Sequence, residues 1–182
     1  MAKRDAVLTY EDYAALPADG RRYEVHDGEL SVIPVPSPQH QIASRDLFTI
    51  LHAHVKQRGL GEVLYAPLDV ILSESAIVQP DIVYLDQTRL ERISRRGIEG
   101  APTLVVEVLS PSTAAIDRST KRNLYARHGV PFYWIVDFES CAIEALALAF
   151  NGYTLVTRAS GTEPVSLPPF PDLALVPAAL WP

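Results

Sequence analysis

Residues 103–113 read Thr-Leu-Val-Val-Glu-Val-Leu-Ser-Pro-Ser-Thr and contain the most informative strand signal of the chain. Residues 103–109 are apolar at both odd and even positions apart from Glu107, which predicts a strand covered on both faces. Ser110-Pro111-Ser112-Thr113 ends this strand and offers helix caps. The following residues predict a helix to about Arg127, which stops at Gly129-Val130-Pro131. A buried strand followed by a helix is typical of a central sheet flanked by helices.

The segments on either side continue this scheme. Thr9 with Asp12 predicts the start of a short helix to Leu16, and Asp27-Gly28 predicts the turn of a hairpin over 22–35. Apolar residues at a helical period predict a helix from Gln39 to Gly59. Further strands are expected at 62–66, 68–73, 78–85, 132–136, 141–150, 153–158 and 165–167, with a polar helix at 88–94 and a loop through 97–100. Together these elements predict a mixed α/β (α+β) class with one sheet.

Length and composition predict one domain over residues 1–182, with a Pro-rich C-terminal wrap at 161–182. A single cysteine, Cys141, excludes a disulfide framework within the chain and a multi-cysteine zinc site. The longest apolar runs have the length of strands, and the first residues do not resemble a signal peptide. We therefore expect a cytoplasmic protein with no membrane partner.

The charge of the chain is unevenly distributed. The net charge is −6, which taken alone argues against a protein that coats nucleic acid. Residues 87–128 nevertheless hold 8 basic and 4 acidic side chains. This segment is either a solvated helix face or a weak indication of an anionic partner.

Two carboxylates stand out against their apolar surroundings. Glu107 lies inside a strand where an ionised group is costly to bury, so it needs a compensating cation, a structural salt bridge or a strand end that reaches solvent. Asp81 begins the apolar run Ile82-Val83-Tyr84-Leu85, where turn chemistry beside Pro80 is the simpler explanation. Taken together, two carboxylates from neighbouring strand ends fit one Mg²⁺ or Mn²⁺ ion, which would activate water for attack on a phosphodiester.

The helix after the Glu107 strand supplies a candidate cation. Asp117, Lys121 and Tyr125 are spaced i, i+4 and i+8 and share one helix face. Lys121 either points back to the carboxylates, where it would stabilise charge or position water, or forms a surface pair with Asp117. The adjacent Arg118 and Arg122 are candidate phosphate contacts.

Two further polar residues remain open. Glu24 lies within the predicted strand Arg22-Tyr23-Glu24-Val25-His26, where it either adds a third carboxylate or faces solvent. His40, at the start of the predicted long helix, is expected to cap or pack that helix rather than to bind a ligand.

An ordered set of motifs over about residues 9–160 resembles the Uma-two (Uma2) family, which is placed in the PD-(D/E)XK restriction-endonuclease-like nuclease superfamily. The set consists of Tyr23-Glu24-Val25, Asp27-Gly28-Glu29-Leu30, Pro36-Ser37-Pro38 with His40, Gln79-Pro80-Asp81-Ile82, Val105-Val106-Glu107-Val108-Leu109 with Ser110-Pro111-Ser112-Thr113, Asp117, Lys121, Tyr125, Gly129-Val130 and Tyr133-Trp134-Ile135-Val136-Asp137.

The resemblance implies a restriction-endonuclease-like fold with a metal site at a fork between strands. It implies Asp81 and Glu107 as the two metal-binding acids, the main-chain carbonyl of Val108 as a further metal ligand, and Glu24 as an auxiliary acid. The superfamily's lysine, two residues after the second acid, would fall at Leu109. The family pattern implies that Lys121 has taken over this role.

These observations support two hypotheses. The first is a Mg²⁺- or Mn²⁺-dependent endonuclease acting on nucleic acid, with DNA as the expected substrate. The second is a catalytically weak or inactive binding or assembly module, favoured by Leu109 and by the acidic net charge. The resemblance and the apolar late strands also favour a homodimer.

Overall fold

The computed structural model describes residues 7–181 and contains thirteen strands in that part of the chain. In chain order they are β1 Arg22–His26, β2 Glu29–Ile33, β3 Gly61–Tyr65, β4 Val70–Ser73, β5 Ala76–Val78, β6 Ile82–Asp86, β7 Ile98–Glu99, β8 Leu104–Val108, β9 Phe132–Asp137, β10 Ala142–Ala149, β11 Gly152–Ser160, β12 Val165–Leu167 and β13 Phe170–Leu175. The helices are α1 Tyr10–Ala14, α2 Pro38–Arg58, α3 Ala114–Ile116 and α4 Arg122–Arg127, with a π-helical turn at Asp117–Lys121 and 3₁₀ helices at Gln87–Arg92 and Pro177–Leu180.

The strands form a mixed, six-stranded sheet, a five-stranded sheet and a separate hairpin. The six-stranded sheet has the order β11-β10-β9-β8-β6-β3, with β8 parallel to β9 and the other pairs antiparallel. The five-stranded sheet has the order β2-β1-β5-β4-β7, and β12 pairs only with β13. The mixed α+β class with helices against a central sheet is confirmed, whereas the prediction of one sheet is wrong.

The prediction of one strand over 78–85 is wrong for a physical reason. The chain leaves β5 in the five-stranded sheet, crosses Gln79-Pro80-Asp81 and enters β6 in the six-stranded sheet. Pro80 has no N–H to donate to a ladder, so the run breaks there. This crossing creates the fork between the two sheets.

The central strand is confirmed. All five residues of β8 are buried, and its four apolar residues alternate between two apolar clusters. Val106 and Val108 pack with α2 and with the C-terminal hairpin, whereas Val105 packs on the opposite face with Leu124 and Tyr125 of α4. Because strand side chains alternate, Glu107 lies on the same face as Val105, toward the helices that follow β8.

The C-terminal strands cover the core instead of extending the central sheet. The prediction that 165–167 finishes the sheet is wrong, because β12 pairs with β13. Phe170 of this hairpin is buried, and its ring lies edge-on to Trp134 at 6.1 Å between centroids. The Trp134 indole N–H donates to the Pro168 carbonyl at 2.7 Å. Residues 165–180 thus lie across the face of the sheet that α2 also covers.

The local predictions are confirmed at the ends of the elements. Asp27 (φ 53°) and Gly28 (φ 85°) both lie in the left-handed region, as a tight hairpin turn between β1 and β2 requires. Thr9 and Asp12 form a capping box at the start of α1. The polar segment at 88–94 forms a 3₁₀ helix over Gln87–Arg92. The loop predicted at 97–100 is wrong in part, because Ile98 and Glu99 pair with β4 as strand β7. No helix in residues 7–181 is both long and apolar enough to cross a membrane.

Asp86 ties the end of β6 to the start of β8, and we expect Asp86→Asn to destabilise the fold. Burial alone would raise the pKa of Asp86, but hydrogen bonds from Thr88 and Thr103 and the charge of Arg89 lower it to about 2. We expect a loss of about 1–2 kcal/mol in the free energy of unfolding at pH 7, measured by urea titration.

The pH dependence follows from the direction of this shift. The folded-state pKa lies below the ordinary value, so the stabilisation is complete above about pH 4 and is lost as the pH falls through about 2. The difference between Asp86→Asn and the parent protein should therefore shrink below pH 4. The exposed Asp172→Asn serves as the matched control, and equal stability of all three proteins at pH 7 would contradict the role of Asp86.

Candidate active site

Strand topology brings Asp81 and Glu107 together. Strands β6 and β8 are antiparallel, with Ile82 opposite Val106. Asp81 immediately precedes β6 and therefore lies beside the end of β8, where Glu107 and Val108 are located. The two carboxylates thus come from neighbouring strand ends at the fork between the sheets, as the sequence predicts.

Asp81 is anchored by the backbone of β8 and by α2. Its Oδ2 accepts a hydrogen bond from the Val108 N–H at 2.8 Å and lies 3.1 Å from His40 Nε2. The Asp81 carbonyl accepts from the Ala66 N–H at 3.0 Å. These contacts fix both the main chain and one carboxylate oxygen of Asp81.

Glu107 is buried, with only 4% of its surface exposed. Its Oε1 accepts hydrogen bonds from the ammonium of Lys121 at 3.1 Å and from the hydroxyl of Tyr125 at 2.5 Å. Of the alternatives that the sequence leaves open, the structure therefore has a buried carboxylate that is paired with a basic side chain. The helical spacing of Lys121 and Tyr125 correctly predicts that both face the same way.

Lys121 joins three carboxylates and is itself 5% exposed. Its Nζ lies 3.1 Å from Glu24 Oε1, 3.1 Å from Glu107 Oε1 and 3.6 Å from Asp117 Oδ1. The surface pair with Asp117 is therefore wrong as a description of this residue, because the pair is buried. Lys121 reaches the carboxylates from the helix, as the family resemblance implies.

A π-helical turn positions this face of the helix. The Arg122 N–H bonds to the Asp117 carbonyl, five residues earlier, and the same carbonyl accepts from the Tyr133 hydroxyl at 3.1 Å. Such turns widen a helix locally and are common at functional sites. Here the turn spans Asp117–Lys121, the two residues of the buried pair.

Glu24 enters the site from the other sheet. It is completely buried, and its Oε1 accepts from the Gln79 N–H at 2.7 Å in addition to its contact with Lys121. Its Oε2 lies 2.9 Å from His26 Nε2. The solvent-facing alternative for Glu24 is wrong. One glutamate thus connects the five-stranded sheet, the fork and the helix.

Carboxylates outnumber ammonium groups at this site, and the directions of the pKa shifts reflect this imbalance. Burial raises the pKa of Glu107 well above its ordinary value, and the neighbouring charges of Asp117, Asp81 and Glu24 add to this effect although Lys121 opposes it. Burial also acts to raise the pKa of Glu24, but Lys121, His26 and the Gln79 N–H outweigh it and lower the pKa to about 2. The same carboxylates raise the pKa of Lys121 despite its burial, which keeps it an ammonium.

These side chains line a cavity of about 240 Å³. Its wall includes Asp81, Glu107 and Val108 from the strand ends and Asp117 and Lys121 from the helix. Glu24 lies behind this wall and acts on the cavity through Lys121. The cavity wall therefore combines the two strand-end carboxylates and that of Asp117 with two cations, the Lys121 ammonium and the Arg22 guanidinium.

The donor set of this cavity fits a hard divalent cation. Among the hydrogen bonds within residues 7–181, none ends on Asp81 Oδ1 or Glu107 Oε2, so each carboxylate keeps one oxygen free of protein donors. In the same part of the chain, no three His, Cys, Asp or Glu side chains are grouped to hold a metal ion. Two carboxylates completed by water are ligands of the kind that hard divalent cations prefer.

Sequence reasoning did not assign roles at this site to His26, His40 or Gln79. His40 packs at the start of α2 as expected, with its backbone N–H bonded to Ser37 Oγ, and its ring in addition lies 3.1 Å from Asp81. His26 contacts Glu24, and Gln79 orients it through the main chain. His26 lies two residues after Glu24 on the same strand, so both side chains point to one face. This spacing could have predicted that the two side chains are neighbours.

The basic segment 87–128 is largely occupied by internal contacts. Arg118 pairs with Glu144 at 2.8 Å and with Asp137 at 3.2 Å, and Arg122 donates to the Tyr153 carbonyl at 2.7 Å. Neither arginine is part of the cavity wall. Their contact with nucleic acid stays a prediction, and it requires these internal partners to be shared or released.

Comparison with known proteins places the chain in a family. Residues 10–178 match the Uma2 family model, described as "Putative restriction endonuclease". The chain is 30% identical over 148 residues to an uncharacterised protein of Synechocystis, a match that covers 80% of this chain and 76% of the relative.

A crystal structure of a protein from Anabaena variabilis, described as a "putative nuclease", has the same fold. The TM-score is 0.77 at 18% identity, and the match covers 95% of this chain and 97% of the other. The mixed sheet with flanking helices is therefore the restriction-endonuclease-like architecture that the motifs imply. With a family match over almost its whole length, the chain belongs to the Uma2 family of restriction-endonuclease-like proteins.

Proposed function

We propose that this protein is a Mg²⁺- or Mn²⁺-dependent endonuclease that hydrolyses phosphodiester bonds of DNA. One observation carries the proposal: Asp81 and Glu107 line one cavity beside Lys121, and each keeps a carboxylate oxygen free of protein donors. The carboxylates and the Val108 carbonyl would hold the cation. When bound, the cation would polarise the phosphodiester and lower the pKa of an attacking water.

In this proposal, each polar residue at the site has its own role. Asp81 and Glu107 would hold the cation, and His40 and Tyr125 orient their carboxylates. Lys121 supplies a fixed positive charge at the cavity wall, which stabilises the negative charge that develops on the phosphate. Glu24 holds the Lys121 ammonium in place from behind and thus acts through it. Arg118 and Arg122 remain candidate contacts to more distant phosphates.

The test is cleavage of supercoiled plasmid DNA by the full-length protein. We expect nicked and linear products with millimolar Mg²⁺ or Mn²⁺ and intact plasmid with excess EDTA. Isothermal calorimetry of Mg²⁺ or Mn²⁺ binding provides a readout that does not depend on turnover. Absence of cleavage with both metals would contradict the endonuclease.

A second candidate is a binding module that has lost strong activity. It is favoured by the departure at Leu109 and by the burial of Lys121 among three carboxylates, which leaves less of its charge for a substrate. Calorimetry separates the two functions: specific metal binding that requires Asp81 supports the enzyme, and no binding at millimolar metal supports the module.

Assembly and location are parts of the same proposal. Leu155 and Val156 are exposed on β11, the edge strand of the six-stranded sheet, and this apolar edge supports a homodimer. A single domain over residues 1–182 and a cytoplasmic location stay predictions. Light scattering after size-exclusion chromatography measures the oligomeric state directly.

A further inference from the structure

A second cavity, of about 660 Å³, adjoins the first one. The two share Arg22, Pro36 and Asp81 in their walls, so a molecule can extend from one into the other. The second cavity lies between α2 and the end of β3, and its size falls within the range of pockets that hold small organic ligands.

An exposed aromatic ring forms one side of this cavity. Tyr65 is 61% exposed, and its ring lies 4.6 Å from that of Phe48 on α2. Phe48 is in turn stacked on His52 at 5.4 Å between centroids. The residue after Tyr65 is hydrogen-bonded through its N–H to the Asp81 carbonyl at 3.0 Å. The ring is therefore presented to solvent from a backbone that is fixed to the candidate active site.

The charges of this cavity favour an anionic ligand. Arg22 donates from Nε to the Gln79 side-chain oxygen at 2.9 Å and from Nη2 to the Gln79 carbonyl at 3.3 Å. These partners are neutral, so they orient the guanidinium without cancelling its charge. Arg45 lies on the same wall and pairs with Asp46 at 2.7 Å. Among the described residues of this wall, Asp81 is the only acid.

We propose that the second cavity binds an unpaired nucleotide of the DNA substrate, with its base on the Tyr65 ring and its phosphate at Arg22. In a duplex the faces of a base are covered by its neighbours, so only a base outside the stack can lie on an aromatic ring. The inference rests on the proposed nuclease function and narrows the substrate to DNA with a single-stranded or splayed segment at the cleavage point.

The test measures binding rather than cleavage. Fluorescence anisotropy of a short, labelled single-stranded DNA is followed in EDTA at fixed salt, because such binding depends strongly on salt. We expect Tyr65→Ala to weaken single-strand binding about tenfold, the usual effect of losing one base-stacking ring. Tyr65→Phe keeps the ring and should stay within about twofold of the parent protein. Blunt duplex should bind more weakly than the single strand.

The matched control removes an aromatic ring that lies elsewhere on the surface. Phe150 is a fully exposed aromatic residue between β10 and β11, away from both cavities, so Phe150→Ala should bind single strands like the parent protein. Unchanged binding by Tyr65→Ala, or tighter binding of blunt duplex than of single strands, would overturn the nucleotide site. If the parent protein cleaves plasmid but Tyr65→Ala binds single strands as tightly as the parent, only the nucleotide site is contradicted, and the endonuclease is not. Tyr65-dependent binding without metal-dependent cleavage supports the site and contradicts the endonuclease.

Discussion

Glu107→Gln should abolish metal-dependent cleavage of plasmid DNA, with a loss of about 10³-fold or more. The substitution removes one of two carboxylates available to the cation, and the charge stabilisation supplied by a bound metal is worth several kcal/mol. The amide oxygen of glutamine can still accept the hydrogen bonds of Lys121 and Tyr125, so the local geometry is retained. Cleavage is measured as the rate of loss of supercoiled plasmid.

The fold should survive this substitution, because Lys121 keeps Glu24 and Asp117 as partners. Thermal unfolding checks this expectation, and calorimetry should show that metal binding is lost as well. The exposed Glu163→Gln is the matched control and should cleave like the parent protein. Cleavage by Glu107→Gln at the parent rate would show that a contaminating nuclease or another site is responsible.

We expect Asp81→Asn to lose cleavage activity to the same extent as Glu107→Gln, because it also removes one carboxylate from the cavity. Glu107→Gln keeps the Asp81 carboxylate, and Asp81→Asn keeps the Glu107 carboxylate. Each variant therefore retains one of the two carboxylates, at the end of a different strand. Similar losses in both variants would therefore argue for one shared cation rather than for two independent effects. Cleavage that needs Glu107 but not Asp81 would contradict the shared site.

Lys121→Met should destabilise the protein by about 3–5 kcal/mol, the typical effect of removing one partner from a buried ion pair. Three carboxylates surround the ammonium within 3.6 Å, and without it these buried groups repel one another. The measurement is urea unfolding at pH 7. Lys56→Met, on the exposed part of α2, serves as the control and should change stability by less than about 0.5 kcal/mol.

A double substitution separates charge from packing. Glu107→Gln combined with Lys121→Met removes one negative charge together with the positive one, so it should be more stable than Lys121→Met alone. Cleavage should be lost in both variants, even below their unfolding transitions, because the Lys121 ammonium is missing from its place beside the carboxylates. If Lys121→Met were as stable as the parent protein, the buried network would not depend on this ammonium.

The central part of the fold was predictable from local patterns. The double-sided apolar run around Glu107, the Asp27-Gly28 turn and the helical period before Gly59 each express a local preference, and neighbouring residues suffice to detect it. The stretch at 78–85 shows where such reasoning fails. The apolar residues on either side of Gln79-Pro80-Asp81 read as one strand, although the ladder partners on the two sides belong to different sheets.

Local patterns in the sequence predicted only part of the candidate site. Glu107 stood out because a carboxylate within an apolar strand is costly, and Lys121 because it follows on a helix with Asp117 and Tyr125 at regular spacing. His40 lies in one of the family motifs, but nothing in its own segment links it to Asp81. It is 41 residues from Asp81 in the sequence, and its contact depends on how α2 packs against the fork.

Local sequence identifies which residues are chemically unusual, since cost of burial, turn preference and periodicity are properties of short segments. Which of these residues meet depends on the packing of the whole chain. The antiparallel pairing of β6 with β8 sets Asp81 beside Glu107, and the crossing of the chain between two sheets brings Glu24 to the same ammonium. Contacts between distant segments depend on the packing of whole elements, and the same packing places the Tyr65 ring next to the cavity.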